Sequence, residues 1–287
     1  MTAAPAAGPG LQTLPAGPTV LLKRLDALLE GWGTAVGAAP MIMPPLLPVA
    51  DLSRLDVYDN FPHQALVVTT LDLTRHQQGV PYEEFAPGAL EPALLGLPSA
   101  ACFAVYLHHE GRALPDGTTV TVLGRCFRRE DHYDGLRRLL GFHMREIVAL
   151  GSYEFTQEHL RRFEERVTAL ADALGLALRK EAATDPFYDR GGQRALLQRL
   201  APVKHEFLVD GLAIASLNVH RNFFGERCGI TLDATGQAVH TSCAAFGLER
   251  WLSVLHTRYG SWEAATRAVE KAAAALGGAD RTGGAER

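Results

Sequence analysis

Three side chains in the stretch 124–150 have the chemistry and spacing to act on a substrate: Arg128 and Glu130 in Cys126-Phe127-Arg128-Arg129-Glu130, and Glu146 beyond a polar loop. A guanidinium offers planar, permanently charged donors that grip a phosphate or carboxylate at two points. A carboxylate two residues further along a strand faces the same way. Val120, Val122 and Leu123 lead into this stretch with the β-branched and aromatic content of a pleated surface, and 142–150 reads as a second strand. On that second strand Phe142, Met144, Glu146 and Val148 share a face. Glu146 therefore has apolar neighbours, a costly place for a carboxylate unless it meets a cation, a metal or a hydrogen-bond donor. Spacing alone leaves a plainer reading open, with Arg128 and Glu130 as a surface pair and Glu146 on a sheet edge.

Two further groups stand out. Strand parity over 212–220 puts Leu212, Ile214, Ser216, Asn218 and His220 on one face, so one end of that face is polar. Arg250 falls in the first turn of a helix that follows Gly247, where the helix dipole disfavours a cation and calls for an anionic partner. Cys102, Cys126, Cys228 and Cys243 include no CxxC pair and are too few for a disulfide scaffold, which suggests a reducing, cytoplasmic setting.

Around these residues, Leu21, Leu22, Leu25, Leu28 and Leu29 predict a core-facing helix closed by Gly31 and Gly33. The run 41–49 reads as a strand ended by Pro44 and Pro45, and 51–98 as short strands and loops. Phe103 to Leu107 reads as another strand. Thr156 is the expected N-cap of a helix with Leu160, Phe163, Val167, Leu170 and Leu174 inward and Gly175 at its end. Turn chemistry over 183–192 precedes a short helix with Arg194, Leu196, Leu197 and Leu200, then Lys204-His205-Glu206-Phe207. A last amphipathic helix spans 262–276. The ends, 1–18 and 278–287, read as disordered tails flanking one catalytic domain at 19–277. A formal charge of −4 argues against a broad nucleic-acid surface, and no apolar run is long enough to span a membrane.

The order strand, Phe-Arg-Arg-Glu, long basic loop, strand resembles motif 2 of the class II aminoacyl-tRNA synthetases, and Phe246-Gly247-Leu248-Glu249-Arg250 resembles their motif 3. The segment 41–49 looks like a degenerate motif 1, a helix and strand closing on proline at a dimer interface. The resemblance covers roughly 20–262 and implies an α+β fold, an antiparallel sheet flanked by helices, in a homodimer. It assigns Arg128 to the ATP α-phosphate and the amino-acid carboxylate, Glu130 to the adenine amino group and Arg250 to the γ-phosphate, with magnesium accompanying ATP. Ser216 and Asn218 would then hydrogen-bond the substrate.

Cys102, Glu146 and Cys243 match no local zinc spacing. They do occupy the positions at which methanogen-type seryl-tRNA synthetases and the related amino acid:[carrier protein] ligases bind zinc. Three ligands would leave one position open for a neutral α-amino group. Size, layout, the Ala183-Thr184-Asp185-Pro186-Phe187-Tyr188 segment and the Lys-His-Glu-Phe run resemble the ligases more than the synthetases, and no tRNA-binding domain is expected on either side of the core. The implied activity is ATP-dependent activation of a small amino acid, glycine or alanine, and its transfer to the phosphopantetheine thiol of a carrier protein, without tRNA. Residues 157–200 are the expected carrier-docking insertion. Two alternatives remain at this point: a shortened tRNA-charging synthetase, and a non-catalytic paralogue with a regulatory or sensing role.

Overall fold

A computed structural model describes residues 10–75, 83–189, 191, 196 and 203–282. Its centre is a seven-stranded sheet of β1 (Ala39–Met41), β6 (Thr118–Phe127), β7 (Gly141–Gly151), β12 (His240–Gly247), β10 (Leu212–Arg221), β9 (Lys204–Val209) and β8 (Leu178–Ala183), in that order. Every neighbouring pair is antiparallel except β1 with β6. Small sheets are formed by β2 (Leu47–Pro48), β4 (Leu95–Leu97) and β3 (Leu66–Val68), and by β5 (Ala113–Leu114) with β11 (Thr231–Leu232).

Alternation along the strands sorts side chains to two cores. On one face Ile147, Ala244, Phe246 and Leu217 pack under four long helices: α1 (Ala16–Ala35), α5 (Tyr153–Ala173), α7 (Leu248–Tyr259) and α8 (Trp262–Thr282). On the other, Val120, Val122, Val148, Cys243 and Ala245 pack under α2 (Val49–Arg54), α3 (Val57–Asn60), α4 (Cys102–His108) and α6 (Phe223–Cys228). Short helices cover less of a sheet than long ones, so this second face keeps room for a site. A one-residue slip would exchange the two faces. Arg145 resists that slip: it lies on the helix side, 4 % exposed, and donates to both oxygens of Asp26 on α1 at 2.8 and 2.9 Å. Glu146, the next residue, is thereby held on the other face.

Several local expectations change. The predicted strand 103–107 is the helix α4, and 49–60, expected as strand and loop, forms α2 and α3. At 103–107 a short apolar run buried almost throughout carries no period that separates strand from helix. Helix α1 begins at Ala16, inside the expected tail, and runs through Gly31 and Gly33 to Ala35. Gly33 serves close packing here: a Cβ there would lie 2.9 Å from Cβ of Thr121 on β6. The backbone of Gly10 is also tied down, its carbonyl accepting from Leu140 N at 2.9 Å. Helix α5 starts at Tyr153 with Ser152, not Thr156, as N-cap; the Ser152 hydroxyl accepts from Phe155 N at 3.2 Å. Gly175, at φ +61°, ends it as expected.

The expected insertion 157–200 is in part core. Phe163, Val167 and Leu170 of α5 are fully buried, and β8 extends the main sheet. The expected helix around Arg194, Leu197 and Leu200 lies outside the described residues apart from Leu196, as do the tail residues 1–9 and 283–287. The backbone of α8 continues to Thr282, past the expected end at 276. No helix among the described residues is long and apolar enough to cross a membrane.

Candidate active site

Glu146, Cys243 and Cys102 meet on the face of the sheet covered by short helices. Ala245 is the direct cross-strand partner of Glu146, which puts Cys243 diagonally across from it on the same face. Cys102 opens α4, which lies over that face. A methyl at Gly124 on β6 would stand 2.6 Å from Ala101 Cβ, so this glycine lets the start of α4 settle onto the strand. The two sulfurs and a Glu146 oxygen lie within 4.8 Å of one another and all three residues are buried. One ion with bonds of about 2.0–2.3 Å is within reach of all three.

Glu146 Oε1 accepts from Ala101 N at 2.8 Å, while its buried Oε2 has no hydrogen-bond partner. The adjacent Cys243 thiol, burial and the Glu146 charge push the Cys102 thiol well above its usual range. A divalent cation placed here would take up the orphaned carboxylate oxygen and favour both thiolates. Two sulfurs and one carboxylate fit a borderline-soft ion such as zinc and leave a fourth position open.

Next to this cluster runs a cationic cleft. Arg128 follows β6, stands 5.1 Å over the Phe142 ring and donates through Nε and Nη2 to Ser99 O at 3.1 and 2.9 Å. Arg250, in the first turn of α7 as expected, donates to the carbonyls of Arg137 at 3.0 Å and Ala213 at 3.1 Å. Burial, followed by repulsion from Arg128 and Arg138, holds its pKa below the ordinary guanidinium value. A further anion would relieve that repulsion. Glu130 and Arg128 line the same cleft, and Arg138 donates to Glu130 at 2.9 Å.

Ser216 and Asn218 face this side of β10, as strand parity predicts, but with a bulge between Ala213 and Ala215 both Leu212 and Ile214, expected on the same face, belong to the helix-side core. Asn218 is already engaged: its Nδ2 donates to Ser216 Oγ at 3.1 Å and to Cys243 Sγ at 3.4 Å. His220, two residues on, has Nε2 4.0 Å from Cys243 Sγ and a pKa lowered to about 4 by burial, so its ring is neutral. Parity aligned His220 with Ser216 and Asn218, but nothing local to it pointed to the cysteine. Lys204 is a second residue whose place was not legible. It pairs with Asp185 at 3.2 Å and Glu206 at 3.3 Å and lines both the cleft and a larger adjoining cavity.

That cavity, of about 530 Å³, reaches Cys102, Glu146 and Cys243 and is walled by Phe61, Phe187, His220 and Arg221, among others. Phe61 and Phe187 stack with centroids 5.5 Å apart. The cleft and the cavity share Arg128, Met144, Lys204, Ser216 and Ala245, so they adjoin along one wall.

No family model matches the sequence. The chain is 34 % identical over 269 residues to amino acid–[acyl-carrier-protein] ligase 1 of Bradyrhizobium diazoefficiens, covering 87 % of this chain and 81 % of that one. It is 35 % identical over 234 residues to ligase 2 of the same organism, covering 76 % and 69 %. The type-2 serine–tRNA ligase of Methanocaldococcus jannaschii is 25 % identical over 84 % of this chain and 51 % of its own. Among solved structures, the seryl-tRNA synthetase of M. kandleri, in complex with A. aeolicus tRNASec, superposes with a TM-score of 0.78 at 21 % identity over 94 % of this chain and 58 % of that one. The ATP complex of the Pyrococcus horikoshii enzyme gives 0.67 at 16 % over 88 % and 54 %. These structures establish the expected class II synthetase fold, an antiparallel sheet flanked by helices. On the identity and coverage of these two Bradyrhizobium ligases, this chain belongs to the amino acid–[acyl-carrier-protein] ligases.

Proposed function

We propose that this ligase activates glycine or alanine with ATP as the aminoacyl-adenylate and passes it to the phosphopantetheine thiol of a carrier protein. Activation of an amino acid and loading of a carrier follow from the family. The identity of the amino acid and the assignment of residues are our reading. The observation that carries it is the shared wall: the cationic cleft and the cavity ending at the two cysteines and Glu146 meet at Arg128 and Ser216. Adenylation needs such a junction, with a phosphate on one side and a carboxylate on the other.

ATP with magnesium occupies the cleft, its phosphates neutralised by Arg128 and Arg250 and its adenine read by Glu130. At the junction Arg128 holds both the α-phosphate and the substrate carboxylate. Attack of that carboxylate on phosphorus expels pyrophosphate, and catalysis comes from positioning and charge neutralisation. Cys102, Glu146 and Cys243 would hold zinc, which when bound supplies an open position for the neutral α-amino group. Ser216 adds a hydrogen bond from the wall.

A cavity of about 530 Å³ falls in the ~300–1,000 Å³ range that holds a drug-sized ligand, far beyond the needs of glycine. The excess suits the pantetheine arm. Arg221, exposed on the cavity wall with φ +53°, presents a cation to the phosphodiester of that arm. The thiol then attacks the carbonyl carbon, the bond to AMP breaks, and a thioester forms. Because α5 is part of the core, carrier docking is assigned to the rim around Asp185, Phe187 and Arg221 instead of the whole of 157–200.

The test is amino-acid-dependent exchange of pyrophosphate into ATP across a panel of small amino acids, using zinc-replete protein without tRNA. Exchange with glycine or alanine, followed by thioester formation on a phosphopantetheinylated carrier protein, is the expected result. Silence across the panel would sink the reading. Exchange followed by charging of tRNA in place of the carrier would favour the shortened synthetase.

A homodimer in a reducing cytoplasm completes the proposal. Ile42, beside the edge strand β1, is 99 % exposed, and Val67 on β3 and Leu94 just before β4 are also exposed, apolar side chains that a second copy would cover. Light scattering should give twice the 31.0 kDa chain mass, and a monomer at micromolar concentration would refute it. The four cysteines are buried and unpaired.

A further inference from the structure

We propose that Asn218 and His220 form a pair of N–H donors that holds Cys243 as a fixed thiolate, making both of them positioning residues for the bound metal rather than contacts to substrate. This rests on the metal reading above. Asn218 is the direct cross-strand partner of Cys243, which brings its amide within 3.4 Å of Sγ and leaves that amide 3.1 Å from Ser216 Oγ. His220 lies two residues further along, at the irregularity where the β10–β12 register shifts, and its Nε2 approaches the same sulfur at 4.0 Å. The far side of the ring is braced, with Tyr106 Oη at 3.2 Å and Thr241 Oγ1 at 3.3 Å from Nδ1. Tyr106 itself is fully buried and stacked on Phe224 at a centroid distance of 4.0 Å, so the brace cannot drift.

A metal-bound thiolate accepts hydrogen bonds and donates none, which assigns the ring proton to Nε2 and makes Nδ1 the acceptor of the Tyr106 hydroxyl. With two N–H groups on it, the sulfur shares its charge with the protein and gives less to the metal. An ion bound there would be left a stronger Lewis acid, and Asn218 ties the sulfur to Ser216 on the wall between cleft and cavity. Partners of this kind orient a metal's ligands and tune the ion itself.

Cobalt(II)-loaded protein reports this directly. Asn218→Leu and His220→Phe each remove a donor and should move the thiolate-to-cobalt charge-transfer band to lower energy, with metal affinity against a competing chelator about 10–100-fold weaker. His220→Gln, which keeps an N–H in reach, should stay near the parent in both. Asn218→Asp, the same shape without a donor toward sulfur, carries the same expectation as Asn218→Leu should the latter fail to fold. Unchanged band energy and affinity in the donor-less variants would overturn the proposal. Parent protein that takes up cobalt without a charge-transfer band would instead overturn the thiolate metal site on which it rests.

Discussion

Arg128→Ala lowers amino-acid-dependent exchange of pyrophosphate into ATP by about a thousandfold, on the order of 4 kcal/mol of transition-state stabilisation. The side chain stands where the cleft meets the cavity, its Nε and one terminal nitrogen already spent on Ser99 O. That anchor fixes the plane of the guanidinium over Phe142 and aims the remaining donors at the junction. Charge developing on the α-phosphate as the carboxylate attacks is met by a cation that needs no reorganisation. Arg128→Lys keeps the charge but has one point donor where the guanidinium has a fork, so it should recover only part of the loss. Because the effect lies in the transition state, kcat should fall more than the KM for ATP rises. A variant within tenfold of the parent would show that Arg128 is only a wall residue. Arg250, held to two backbone carbonyls, would then be left as the principal phosphate ligand.

Glu146→Gln should strip the protein of zinc on dialysis against a chelator and lower amino-acid activation at least a hundredfold, while nucleotide binding in the absence of amino acid is unaffected. An amide keeps the shape of the side chain and can still accept from Ala101 N, so the fold survives the change. It cannot supply the anionic oxygen that the structure leaves buried and unpartnered as Oε2. Without that ligand two thiols remain: the Cys243 contact and burial push the Cys102 thiol up, and at Cys243 the hydrogen bond from Cys102 favours the thiolate while burial and the Glu146 charge oppose it and leave that thiol raised as well. Zinc content by emission spectroscopy and fluorescence binding of an ATP analogue separate the two effects. Full zinc retention in Glu146→Gln would remove Glu146 from the metal site. Loss of nucleotide binding along with zinc would mean that the substitution disturbs β7 as a whole.

Motifs that are local in the chain were legible without coordinates. Phe-Arg-Arg-Glu and Phe-Gly-Leu-Glu-Arg carry their own geometry, a strand end and a helix start, and both appear where expected. Two-residue alternation placed Phe142, Met144, Glu146 and Val148 on one face of β7, and that is the face they share. Gly175 ended its helix because its φ is positive and a side chain would strain it. Where local signals competed, the reading failed. Phe103-Ala104-Val105-Tyr106-Leu107 is apolar throughout, so only its place beneath the sheet decides that it is helix α4. The helix opens directly after β7 ends at Gly151, so Ser152 is its cap and Thr156 lies a turn inside, its hydroxyl donating to Tyr153 O at 2.7 Å.

The amino-acid sequence by itself determined the strand and helix that carry Arg128 and Arg250, the parity that turns Glu146, Ser216 and Asn218 to one side, and the family these motifs belong to. Only the tertiary structure decided what those side chains meet. Cross-strand register puts Asn218 opposite Cys243 and Cys243 diagonal to Glu146. The close seat of Ala101 on Gly124 sets Cys102 over them. The physical reason is that periodicity along a strand gives a side chain its direction, whereas pairing between strands distant in sequence sets its neighbours, and a metal cradle or a braced thiolate is made of neighbours.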